Sequence, residues 1–329
     1  MADRWSWDFE DEPPVPKPAA QSTPSPTPAA AASATSPAPG GHPRRTIQLR
    51  RRRALAGVAA LVVVVAIVAI AAGSHGGRAA TAAHRPSARP HAAPKPITDP
   101  EERQENAVRS VLAYTPFVKE GSARVRDIAL TFDDGPGPYT PQVLSVLESY
   151  HVKATFFVIG KMLRYFSAST VREIEDGDVI GDHTETHPMM ASLSAHEQYE
   201  ELFEQIARIE LLGGKRPVLF RPPYGSFDAT TFKELRRLHL LMTLWSVDTG
   251  DYEQPGVSVI VKRVLEGAHP GAIVLLHDAG GTRTQTVQAL PQIIKALRAK
   301  GYDLVTVPKL LLDDPPPPGQ PIPTSLAGD

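Results

Sequence analysis

Between about residue 106 and residue 312, short apolar runs rich in β-branched and aromatic residues alternate with longer segments of helical period. The runs fall at 127–133, 154–159, 179–181, 218–221, 241–247, 271–277 and 304–307. The helical segments fall at 141–150, 162–176, 194–212, 228–238, 257–267 and 286–300. This alternation is the strongest limit on the fold. Strand, helix and strand in steady succession call for parallel strands joined by right-handed crossovers, because each helix must pack back onto the sheet. Seven such runs fit a closed or nearly closed (β/α) barrel most simply, with a doubly wound open sheet as the alternative. A domain of about 200 residues buries about 70% of the surface its unfolded chain exposes, so it needs no covalent staple.

In parallel α/β folds, ligand-binding and catalytic groups collect at the C-terminal ends of the strands. Chemically suggestive residues sit at five such ends here. The run from Ile128 to Phe132 stops in Asp133 and Asp134, followed by the breaker Gly135-Pro136. Neighbouring strand residues point to opposite faces, but the pleat relaxes at a strand end and both acids can converge on one ligand. Next come His183 and His187, spaced to share one helical face or to converge in a tight turn. The chain has no cysteine, so any metal must be held by histidine and carboxylate. Two imidazoles and one aspartate leave open positions for water and substrate. Asp182 and Glu185 lie beside these histidines as supporting or merely solvated groups.

The third set is Phe220-Arg221-Pro222-Pro223-Tyr224-Gly225. Its guanidinium can clamp a carboxylate, and the Tyr224 backbone N–H can serve as an oxyanion donor. The fourth places Asp248 and Asp251, with Tyr252, after the apolar run 241–247. In the fifth, Leu275-Leu276 leads into His277-Asp278, with His277 as a candidate general acid or base. Taken singly, the third and fourth sets read as ordinary turns and the fifth as a structural histidine at a strand end. The remaining histidines lie in linkers, helices or turns without companion ligands.

In this order, the five sets resemble the polysaccharide deacetylase family, also called the NodB homology domain or carbohydrate esterase family four. The resemblance rests on Thr131-Phe132-Asp133-Asp134-Gly135-Pro136, His183-x-x-x-His187, Arg221-x-Pro223-Tyr224 and Leu275-x-His277, and covers about residues 120–312. It implies a distorted (β/α) barrel of seven strands. It also implies that Asp134, His183 and His187 hold a divalent metal, zinc foremost and cobalt or another ion otherwise. Asp133 is then the general base and His277 the general acid, with Arg221 orienting Asp133 and Asp251 tuning His277. Leu275 lines the site of the acetyl methyl, and the Tyr224 N–H assists the oxyanion. One departure is Tyr252, where the family usually has Trp after the aspartate, which makes the aromatic wall smaller and adds a hydroxyl.

Outside the domain, residues 1–50 are Pro/Ala-rich and read as a disordered cytoplasmic segment. Ala54 to Gly73 carries no charge, which at helical rise spans roughly 30 Å, a bilayer core. Arg44, Arg45 and Arg50 to Arg53 crowd its N-terminal side, so an uncleaved signal anchor at 51–73 puts the domain outside the cell. A cleaved signal peptide or a twin-arginine signal fits the lengths and flanking pattern less well. Residues 74–105 read as a flexible basic linker and 313–329 as a Pro-rich disordered tail. The net charge of −1 implies no attraction to nucleic acid. The expected activity is hydrolysis of N-acetyl groups from amino sugars of an extracellular polysaccharide, peptidoglycan N-acetylglucosamine first. Chitin oligomers or acetyl-xylan are the enzymatic alternatives, and a catalytically silent glycan-binding module is the non-enzymatic one. The Pro-rich N-terminal segment offers motifs for partner domains but names none.

Overall fold

The computed structural model describes residues 99–322. The expected segment at 1–50, the anchor at 51–73, most of the linker and the end of the tail lie outside the described residues. Among the described residues, no helix is long and apolar enough to cross a membrane.

The first described element is helix α1 (Pro100–Leu112), not linker. Its start is built from local chemistry. The Asp99 side chain accepts from the Glu101 N–H, Pro100 opens the helix, and Glu101 and Glu102 sit in the positive first turn. Val108 and Val111 bury the inner face. The linker expectation therefore runs six residues too far, because charged, Pro-led sequence also describes a well-capped helix start.

Strands β1 (Phe117–Val118) and β2 (Asp127–Asp133) follow, then α2 (Thr140–Ser149), β3 (Thr155–Val158), α3 (Leu163–Asp176) and β4 (Val179–Asp182). The chain continues through α4 (Ala195–Leu211), β5 (Leu219–Phe220), α5 (Ala229–Leu238), β6 (Leu241–Thr243) and β7 (Val247–Asp248). It ends with α6 (Val257–Gly267), β8 (Ile273–His277), α7 (Thr284–Ala299), β9 (Asp303–Val305) and α8 (Val307–Asp313). Every paired strand runs parallel, in the order β1-β6-β5-β4-β3-β2-β8-β7, with β9 also on β2.

Among the described residues, nine strands stand where seven are expected. The run 241–247 is divided: β6 pairs with β5 and β1, whereas β7 pairs with β8. One stretch of chain thus touches both ends of the sheet, an architecture consistent with a (β/α) barrel. The other addition, β1, is two residues long, too short to show a period. The tail expectation is corrected as well. Asp313 closes α8, and the buried Asp314 carboxylate binds the Ser122 hydroxyl and the Arg124 N–H. The Tyr114 hydroxyl donates to the Pro316 carbonyl over 2.7 Å.

All seven residues of β2 are buried, as expected of a strand covered on both faces. Its side chains divide by parity. Ile128, Leu130 and Phe132 join Val274 and Leu276 in one core with α2 and α7. Ala129 joins Phe157, Ile273 and Leu275 in the other core. Asp133 shares the parity of Ala129 and is in register with His277 on β8. The pleat therefore delivers Asp133, Leu275 and His277 to one face of two adjacent strands.

Candidate active site

Asp133 ends β2 and Asp134 starts the turn that follows, with a left-handed φ of 72°. That conformation is uncommon for a residue with a side chain. It breaks the strand's alternation, so the two neighbouring carboxylates come to the same cleft. The Asp134 Oδ1 lies 3.1 Å from the His187 Nε2 and 3.5 Å from the His183 Nε2. Asp133 Oδ2 is 3.9 Å from the same His183 nitrogen.

The two histidines sit in a tight turn after β4, not on a helix. Thr184 and His187 both have positive φ, and the Thr184 hydroxyl accepts from the His187 N–H over 2.9 Å. The neighbours Asp182 and Glu185 are both buried, so neither is a solvated surface acid. Asp182 Oδ1 accepts from the Thr184 N–H at 2.7 Å, and burial pushes its carboxyl well above the usual range. Glu185 receives Arg208 Nε at 2.6 Å. Glu201 on α4 takes both the Thr186 N–H and its hydroxyl, at 2.8 and 2.6 Å. Glu201 escaped sequence reasoning because it looks like any other acid of an amphipathic helix.

The donor set fits a divalent metal. One oxygen of Asp134 and one nitrogen from each of His183 and His187 lie within 4.8 Å of one another. The His183 Nδ1 meets the Arg221 carbonyl at 2.7 Å. That carbonyl can only accept, so Nδ1 carries the proton and Nε2 keeps its lone pair for a cation. Burial alone would raise Asp134, but the His187 and His183 rings bring it well below the usual carboxylate range. An acid held ionised beside two imidazoles suits zinc or another borderline divalent ion.

Arg221 follows β5 and is wholly buried. Its Nη1 donates to Asp133 Oδ1 at 2.7 Å and to Thr131 Oγ1 at 2.8 Å. Nε and Nη2 donate to the carbonyls of Thr243 and Leu244 at 3.0 and 3.2 Å, and the guanidinium lies 4.2 Å over the Phe157 ring. Every side of the cation is thus compensated, and one Asp133 oxygen is held while the other faces the cleft.

Opposite, Asp251 Oδ1 lies 2.7 Å from the His277 Nδ1, and its Oδ2 accepts from the His277 N–H at 2.9 Å. The Thr286 hydroxyl on α7 donates to that Oδ2 at 2.7 Å. Thr286 gave no advance signal, since its meeting with Asp251 is purely tertiary. Burial would lower His277, but Asp251, with Asp134 and Asp133 behind it, raises it to about 9. Its Nε2 is left as the proton-bearing atom toward the cleft.

The remaining expected residues border the same cleft. Leu275 is buried one turn of the pleat below His277, and its carbonyl accepts from the Thr249 hydroxyl. Tyr252 stands edge-on to His277, with ring centroids 5.4 Å apart. Tyr224, with φ 57°, meets His187 at 4.6 Å and remains 43% exposed. All ten expected site residues are therefore brought to one end of the sheet. The cleft sets the Arg221-held Asp133 carboxyl opposite a protonated imidazole across a three-ligand cradle, the equipment for hydrolysing an acyl bond.

A family model described as polysaccharide deacetylase matches residues 120–242. The chain is 42% identical over 195 residues to a peptidoglycan-N-acetylglucosamine deacetylase of Bacillus cereus, covering 56% of this chain and 87% of that protein. It is 39% identical over 185 residues to the peptidoglycan-N-acetylmuramic acid deacetylase PdaC of Bacillus subtilis, covering 56% of this chain but 38% of that longer protein. Among solved structures, a carbohydrate esterase family four pseudoenzyme from Bacillus anthracis superposes with a TM-score of 0.57 at 31% identity, over 60% of this chain and 69% of that one.

Proposed function

The chain belongs to the polysaccharide deacetylase family, and we propose that it hydrolyses N-acetyl groups of amino sugars in peptidoglycan, N-acetylglucosamine foremost. The observation that carries this reading is the completeness of one cleft: Asp133 held by Arg221, His277 held by Asp251, and three ligand atoms within 4.8 Å. A neighbour of the same fold is a pseudoenzyme, so membership alone does not imply turnover; the intact set of side chains supports it.

Asp134, His183 and His187 would hold the metal, with zinc proposed and cobalt the next candidate. A divalent ion there supplies a Lewis acid that polarises the amide carbonyl and makes water more acidic. The chain's own groups do the rest. Asp133, fixed by Arg221, takes a proton from the attacking water. Hydroxide adds to the acetyl carbon, and the Tyr224 N–H supports the negative oxygen. His277, charged because of Asp251, gives its proton to the sugar nitrogen as the C–N bond breaks. Acetate and a free amino sugar result, and the proton held by Asp133 restores His277 through solvent. An amine leaves an amide poorly, so the acid matters as much as the base. Leu275 lines the space for the acetyl methyl, and Tyr252 forms the wall over which the sugar lies. The uncharged apolar stretch at 54–73 and its arginine flank support an outward-facing, membrane-anchored enzyme that meets the cell wall.

The test is acetate release from purified peptidoglycan by the full-length protein. Activity should vanish with EDTA and return with zinc or cobalt. Release from chito-oligomers or acetyl-xylan alone would retain the chemistry and overturn the substrate. Glycan binding without release from any of the three would make this chain a binding module. Asp133→Asn should keep metal and lose at least about 100-fold in rate, the usual worth of a general base.

A further inference from the structure

The segment Asp278–Arg283, immediately after the acid His277, is packed onto the turn that carries the ligand Asp134. The contacts repeat along both chains. The Asp278 N–H donates to the Asp133 carbonyl at 3.2 Å. The Asp278 carboxylate accepts from the Thr140 hydroxyl, which itself accepts from the Gly137 N–H at 2.8 Å. A Cβ on Gly135 would lie 2.5 Å from Asp278 Oδ2, and one on Gly137 would lie 2.5 Å from the Ala279 Cβ. At Gly280 a Cβ would lie only 2.2 Å from Asp134 Oδ2 itself. Three glycines thus let the two turns nest, and the Gly280 backbone forms a wall against the ligand carboxylate.

The wall is braced from behind by Arg283, which is 1% exposed. Its Nε donates to the Ala279 carbonyl at 2.6 Å, Nη2 to the Gly280 carbonyl at 2.5 Å and Nη1 to the Thr282 carbonyl at 3.3 Å. A buried guanidinium whose side-chain hydrogen bonds go to the backbone of one short loop is a shaping device: its rigid planar fork fixes three carbonyls in one geometry, which the rotatable donors of a lysine do not. The mechanism above gives Arg283 no part.

We infer that Arg283 and Gly280 are positioning residues for the metal. Arg283 sets the Ala279–Thr282 backbone, and the bare Cα of Gly280 holds the Asp134 carboxylate in the orientation that meets His183 and His187. This inference rests on the metal reading of the site, and the experiment separates the two.

Metal-free full-length protein is titrated with zinc in competition with a chromophoric chelator, so that affinity is read without turnover. Gly280→Ala is compared with Gly281→Ala. Both positions have left-handed φ, +75° and +119°, so both substitutions strain the loop. Only at Gly280 does the added methyl meet Asp134; at Gly281 the nearest atom is an Arg283 nitrogen at 3.8 Å. Gly280→Ala should weaken zinc binding about 10- to 100-fold, the usual effect of disturbing a group that orients a ligand, and Gly281→Ala less than about threefold. Equal losses in both, or no loss at Gly280, would overturn the inference. Arg283→Lys, which keeps the charge and loses the fork, should weaken zinc at least about tenfold with unfolding of the metal-free protein little changed. Unaltered affinity in that variant would also overturn it, even if neither alanine variant folds. Absence of zinc binding by the unsubstituted protein would instead remove the metal reading itself.

Discussion

Asp133 and Glu173 are both buried carboxyl groups, 3% and 0% exposed, yet the fold treats them in opposite ways. Asp133 meets a guanidinium that is itself bonded on every side. Glu173, on the inner face of α3, has no hydrogen-bond partner at either oxygen. Burial, then the charges of Asp278 and Asp178, push it well above the usual range, with a weaker opposing pull from Thr170. Asp278 follows the same course: burial, with the Asp134 charge, raises it to about 7 against the pull of the Thr140 hydroxyl. Two solutions to one problem thus lie side by side. At the cleft a buried acid is matched by a cation built in beside it. Behind it, Glu173 stays buried by keeping its proton. A buried carboxyl is evidence of function here only where its compensation is charged and it faces the cleft.

The largest expected effect comes from removing the cation on the functional side. Arg221→Met preserves bulk and leaves Asp133 buried without its partner. Breaking a buried pair in this way costs about 3–5 kcal/mol. For a domain of this size that lowers the melting temperature by on the order of 10 °C. The rate should fall at least about 100-fold as well, since the base is no longer held. Thermal unfolding and acetate release check both. A stable, active variant would mean that Asp133 and Glu173 are compensated alike, and the contrast would be lost.

A smaller effect sharpens the contrast on the acid side. Asp251→Asn keeps the shape and the oxygen facing His277 Nδ1, loses the second acceptor that takes the His277 N–H, and removes the charge that raises His277 to about 9. The protonated imidazole is the active form, so activity falls as pH rises through this pKa. The alkaline limb should move down by about one unit or more toward the ordinary value near 6.5. In the metal-loaded enzyme the limb lies below 9 in the parent too, because the ion offsets the contribution of Asp134. Stability follows the same sign: the raised His277 contributes fully below about 6.5 and loses that contribution as pH climbs to about 9. An unmoved limb in a pH–rate profile would show that Asp251 does not set the acid.

The charged half of this comparison was legible in the sequence and the neutral half was not. Asp133, Asp134 and His277 end apolar runs, and a strand end in a parallel sheet is a predictable place. The His183 and His187 pair was legible as ligands, although its turn geometry depends on the positive φ of Thr184 and His187. Glu173 stands in Arg172-Glu173-Ile174-Glu175-Asp176, which reads as a solvated helix face. Its burial shows only in the fold, because the inner face of α3 also carries Ser169 and Thr170, and a polar inner face leaves no apolar stripe to follow. Arg283 and Thr286 were missed for a related reason. What they contact is far away in sequence or purely backbone, and residue type carries no record of either.

The smallest effect tests the neutral half directly. If Glu173 is held protonated, folding takes up a proton at any pH above the ordinary carboxyl value near 4.5. Stability contributed at this site is then greatest at low pH and declines as pH rises, because the unfolded acid ionises while the folded one does not. Glu173→Met is close in length, has no proton to lose and leaves no polar oxygen without a donor. It should therefore be more stable than the parent by about 1–3 kcal/mol at pH 8, the usual return for replacing an unmatched buried polar group. The gain should shrink at pH 5, and zinc affinity should stay the same. Urea midpoints at the two pH values, with equal denaturant slopes, give the comparison. A variant less stable than the parent at both would mean that Glu173 has a charged partner after all, and that both acids are compensated by the same means.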